Sequence, residues 1–143
     1  TYKTNEYTKL FKTILHNNHI MNYSLIPLIG IQMFLYTTAR YKSYRSFLIY
    51  LNGLLYHSTN NKILKNIDVA SNTIITIYTA YVYKSSRLYA MLGVFIYLYN
   101  SYLYENNILD KKKADTIHVL GVQGILCIGL IKSLIEKSLI KNR

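Results

Sequence analysis

Four residues of this chain have the types and the placement to do chemistry together: His57, Asp68, His118 and His19. Imidazole nitrogens with one carboxylate form the ligand set of a catalytic zinc site that keeps a position open for water. Such an ion lowers the pKa of its water to about 7 and polarises a carbonyl. On this reading zinc is the expected cofactor. His57, His118, Asp68 and His19 are its candidate ligands, and Asp68 is also the candidate catalytic carboxylate. His16 and Asp115 are further donors that could complete the set, since His16 and His19 share one helical turn. A plainer reading stays open: these polar groups hydrogen-bond at helix ends, with Asp68 capping a helix through its backbone N–H groups.

The elements that must bring them together are helices. Residues 20–39 contain no charge before Arg40, enough chain to cross a bilayer core. Four shorter apolar runs follow, at about 44–61, 67–83, 88–104 and 115–133, each bounded by Lys or Arg. Flanking basic side chains can snorkel and lengthen each run by roughly a turn. Ahead of them, Leu10, Phe11, Ile14 and Leu15 form the apolar stripe of a short interfacial helix. The expected fold is therefore all-α: a polytopic membrane helical bundle of about five transmembrane helices, one domain over 1–143. A soluble bundle fails on surface area, because a chain this short cannot bury five helices that are apolar all round.

This topology has a consequence for the site. His57 ends the second span, Asp68 begins the third and His118 begins the fifth, while His16 and His19 precede the first. All of them fall at one membrane face. Asp68, Asn72, Thr76 and Thr79 recur at helical spacing and give the third span an inward polar side.

Composition sets the remaining bounds. Of 143 residues, 51% are apolar and only 16% charged, against about a quarter in soluble domains. The net charge of +11 lies between apolar runs, which points to membrane lipids rather than nucleic acid as partners. Lys and Arg divide almost evenly between the two faces, so the positive-inside rule assigns no orientation. Sixteen tyrosines, many near span ends, suit an interfacial aromatic belt. The single cysteine, Cys127, excludes a disulfide framework within the chain. Gly93, Gly121 and Gly124 suit close helix packing. No glycine-rich phosphate loop or nucleophile elbow is present.

At the polar positions the sequence resembles the alkaline ceramidases, which belong to a superfamily of membrane hydrolases that also includes the adiponectin-receptor and hemolysin III groups. "YHST" carries His57, "NID" carries Asp68, and "IHVLGVQG" carries His118 with Gly124 six positions later. "NYSLIPLIG" is loosely similar to the family's first helix. The family's serine falls on Gly53 and the first histidine of its late pair on Ala114; its seven spans are five here. The resemblance implies a zinc-dependent lipid amide hydrolase, with Ser58 or Tyr56 left as oxyanion donors. The alternative is a non-catalytic structural membrane component of a virus particle or organelle complex. Its basic loops would meet headgroups or acidic protein subunits.

Overall fold

The computed structural model describes residues 25–59 and 61–142. The interfacial helix expected before residue 20, and with it His16 and His19, lies outside the described residues. Over the described residues the chain is all-helical. Helix α1 covers 25–41, α2 Tyr44–Thr59, α3 Lys62–Val82 and α4 Arg87–Glu105. Helix α5 runs over Lys111–Lys141 and contains a π-helical stretch at His118–Gln123.

Each corner is made by local hydrogen bonding. Lys42 takes a left-handed backbone (φ 49°) between α1 and α2, and Ser43 Oγ accepts from Ser46 N–H at 3.4 Å. Asn61 caps α3, its Oδ1 accepting from Ile63 N–H at 2.8 Å and Leu64 N–H at 3.4 Å. Asn is among the best N-cap residues because its side chain satisfies amides that have no partner within the helix. At the other end of α3, Ser86 Oγ donates within 3.0 Å to the carbonyls of Thr79 and Tyr83, and Arg87 Nε donates to Ala80 at 3.0 Å. Glu136 on α5 accepts from Ser85 N–H at 3.0 Å and ties this corner to the last helix. Asp110 caps α5 by accepting from Lys113 N–H at 2.8 Å, and pairs with Lys113 Nζ at 3.2 Å. That hydrogen bond, reinforced by the ammonium, holds the Asp110 carboxyl below the usual carboxylate range.

Two expected boundaries move. Lys62 and Lys65 belong to the first turns of α3 rather than to a loop, because Asn61 starts the helix early. Asp68 is therefore not the cap of α3; it lies nearly two turns inside it. Lys111–Lys113 likewise open α5 and shorten the charged loop.

Helix α2 packs along α3 and α4 along α5, with α1 laid against α5. The close fit of α4 and α5 depends on small residues. A Cβ on Gly129 would stand 2.8 Å from Tyr89 Cβ, and one on Gly121 would stand 2.7 Å from Ile96 Cγ2. Gly93 is packed in the same way against Leu126, whereas Gly124 meets only the Val119 carbonyl of its own helix. A small core of Phe34, Ile49, Cys127 and Leu130 joins α1, α2 and α5. Cys127 Sγ lies 3.3 Å from Thr37 Oγ1.

Among the described residues, eight hydrophobic residues are buried while thirty large ones are exposed. Thr37, Ser46 and Ser133 are completely buried instead. Of the expected spans, the described residues hold one helix, Lys111–Lys141, long and apolar enough by itself to cross a membrane. The other described helices fall short for identifiable reasons. Helix α3 carries Lys62, Lys65, Asp68 and Asn72, and α4 carries five tyrosines and Asn100.

Candidate functional site

Between the helices lies a cavity of about 410 Å³, within the usual size range of ligand and cofactor sites. Its walls are mostly apolar, from Ile31 and Phe34 on α1 to Val94 and Leu98 on α4 and Val122 and Leu126 on α5. Five helices supply this lining, so no pair of neighbours in sequence builds the cavity.

Its polar members include three of the residues singled out above. His57 comes from the last turn of α2, Asp68 from the second turn of α3 and His118 from the start of the π-helical stretch of α5. The rings of His57 and His118 are neighbours, with centroids 6.5 Å apart and planes at 62°. Tyr97 of α4 is a second ring beside His118, at 6.2 Å and 65°. Asp68 is buried, and its Oδ1 accepts from Asn72 Nδ2 at 3.0 Å. The π-helical stretch coincides with the site: the extra residue per turn in α5 runs from His118 to Gln123, and both line the cavity.

Other expected positions do not converge. Asp115 is half-buried one turn before His118 and is not part of the cavity wall. Ser58 is exposed and donates to Leu54 O of its own helix at 2.6 Å, and Tyr56 packs at 4.5 Å from His57 without lining the cavity. Ala114 is buried, and its carbonyl accepts from Asn100 Nδ2 at 2.9 Å. Gly53 lies where a side chain would face the acid, a Cβ there being 3.8 Å from Asp68 Oδ1 and 3.0 Å from Ile31 Cγ2.

Sequence reasoning passed over Gln123 and Tyr97. Gln123 is buried in the cavity wall, its Oε1 pressed against Gly30 of α1, where a Cβ would collide with it. Neither Gln123 Oε1 nor Asn72 Oδ1 has a hydrogen-bond partner among the described residues. A lone glutamine in the run Val119–Ile131 was a visible signal for an inward polar group. Tyr97 had none, being one tyrosine of five in α4.

The donor set can be tested against zinc. Two imidazoles bound at ~2.1 Å to one tetrahedral ion hold their ring centroids about 5 Å apart. The 6.5 Å observed is wider than that. Asp68 Oδ1 accepts from Asn72, and no three His, Cys, Asp or Glu side chains among the described residues gather closely enough to hold an ion. Among the described residues, His57, His118 and Asp68 stand farther apart than the ligands of a closed tetrahedral centre; His19, the fourth candidate ligand, lies outside the described residues.

Compared with known proteins, the chain matches no family model, no curated protein and no solved structure.

Proposed function

We propose that this chain is a polytopic membrane protein whose helices enclose a binding cavity for an apolar ligand or cofactor, with His57, His118 and Asp68 at its polar end. The observation that carries the reading is the inverted distribution of polarity. Exposed Leu88, Met91, Leu92, Phe95, Tyr99 and Tyr102 cover the outside of α4, while Asp68, Asn72 and Gln123 sit inside with the histidines. In water such a surface is an aggregation hazard. In lipid it is the favourable arrangement, and ionisable groups then face the interior and mark a functional site. The 17 uncharged residues of α4 span about 26 Å at 1.5 Å per residue, close to the ~30 Å hydrocarbon core.

Depth labelling tests this. Single cysteines placed at Met91 and Phe95 of a Cys127→Ser chain, tagged with a fluorophore in vesicles, are expected to be quenched by bromine on the acyl chains. Quenching only by an aqueous quencher refutes membrane insertion.

The lipid amide hydrolase reading comes second. One observation favours it: His57, Asp68 and His118 come from three helices to one cavity, as the ceramidase-like motifs require. Its test is metal analysis of purified chain with and without chelator, where stoichiometric zinc lost in His57→Ala supports it and metal-free protein refutes it.

A further inference from the structure

The separation that is too wide for a tetrahedral ion suits a different geometry. Two imidazoles on opposite sides of one ion, each bonded at ~2 Å, place their centroids about 6.4 Å apart. His57 and His118 stand at 6.5 Å. An ion bound by two histidines in line keeps a square plane of four positions between them, which a tetrapyrrole fills. We propose that His57 and His118 are the axial ligands of a b-type haem bound within the helical bundle. This rests on the membrane-cavity reading above and names the cofactor that the cavity takes.

Three features of the surroundings fit a macrocycle. The cavity beside the pair is apolar and is walled by Ile31, Phe34, Ile49, Val94 and Leu126, side chains able to pack on a flat ring. Gly53, one turn before His57 on the same face of α2, also lines that cavity and contributes no side chain. Tyr97 and Gln123 add polar groups without adding charge to the wall.

Lysines gather at this end of the bundle, together with the acids Asp68, Asp110 and Asp115. A haem carries two propionates, and Lys62, Lys65, Lys111 and Lys112 are exposed at the starts of α3 and α5. Lys62 lies five residues beyond His57, and Lys112 lies six before His118, at the same end of the bundle as the two histidines. Among the described residues these four lysines form no salt bridge; Asp110 pairs with Lys113 instead. Carboxylates at the cavity mouth would meet cations already in place. Iron held by two nitrogen ligands in an apolar, partly enclosed site has its potential set by those ligands and by burial.

The full chain, purified in lipid nanodiscs, is titrated with ferric protoporphyrin IX. The expected result is saturable binding of one haem per chain with a six-coordinate, low-spin spectrum, and sharp visible bands on reduction with dithionite. His57→Gly and His118→Gly should each lose that low-spin signature, and free imidazole should restore it to both. Rescue by imidazole separates lost ligation from a misfolded chain. No saturable binding, a five-coordinate spectrum for the unmodified chain, or a low-spin spectrum that survives both substitutions overturns the proposal. Displacement of haem by equimolar zinc would also overturn it, assigning the pair to the smaller ion. A chain that is quenched by brominated lipid yet binds no haem fails this inference alone; a chain that is not quenched fails the membrane reading as well.

Discussion

Replacing Gly129 with alanine puts a methyl group where Tyr89 already stands. The new Cβ would lie 2.8 Å from Tyr89 Cβ, closer than real Cβ atoms approach, and 3.7 Å from Ser86 O. Tyr89 Cβ is fixed to its own backbone, so a rotamer change cannot relieve the overlap and α4 must move from α5. Overpacking of this kind costs about 1–3 kcal/mol. Alanine also favours a helix over glycine by about 1 kcal/mol, which partly hides the clash. Gly124→Ala removes that ambiguity. It receives the same helical gain in the same helix, while its Cβ meets only Val119 O at an ordinary 3.5 Å. The difference between the two variants is therefore the steric term alone, about 1–3 kcal/mol. For a chain of this size that corresponds to melting temperatures separated by roughly 3–10 °C. Thermal unfolding followed by far-ultraviolet circular dichroism in detergent micelles reads it, Gly129→Ala melting lower. Equal melting temperatures would refute the close approach of α4 and α5 at this position.

Asn61→Ala removes the cap of α3 and should cost about 1 kcal/mol, read in the same melts, with Asn61→Asp restoring most of it. Asn100→Leu removes the bond from the Asn100 side chain to the Ala114 carbonyl. That carbonyl also accepts from His118 N–H, so the loss should stay near 0.5–1.5 kcal/mol. The Asp110 carboxyl is held low in the folded chain. Its contribution is therefore fully present above the unfolded value and lost as pH falls through the folded one. Asp110→Asn should flatten the acid side of the stability profile of α5, measured as amide exchange at Lys113 across that range. An unchanged acid slope would remove Asp110 from the account.

Much of the helical plan was legible because its signals are local. Apolar runs bounded by Lys and Arg located α4 to within a residue at either end, and located α2 closely. The starts of α3 and α5 were read late, since Lys62, Lys65 and Lys111–Lys113 look like loop residues until Asn61 and Asp110 are recognised as caps. Gly93 and Gly121 were correctly read as packing positions, but Gly124 was not one and Gly129 was overlooked. A glycine's role depends on which face of its helix meets a neighbour, and periodicity alone leaves that face undetermined along an apolar run.

For the site the division is sharper. Sequence alone determined that His57, Asp68 and His118 are polar interruptions of apolar runs, because charge and hydropathy are properties of residues in order. It also determined that they could fall at one end of a bundle, since successive helices joined by short turns alternate in direction. Only the tertiary structure decided that α2, α3 and α5 converge on one cavity, that Asp68 bonds to Asn72, and that Gln123 and Tyr97 join the wall. The separation of the two imidazoles is decided there as well. That distance depends on how far α5 is allowed to approach α1 and α4, through Gly30, Gly121 and Gly129, and on the π-helical stretch that begins at His118. Packing of side chains remote in sequence sets it, and no spacing along the chain encodes it.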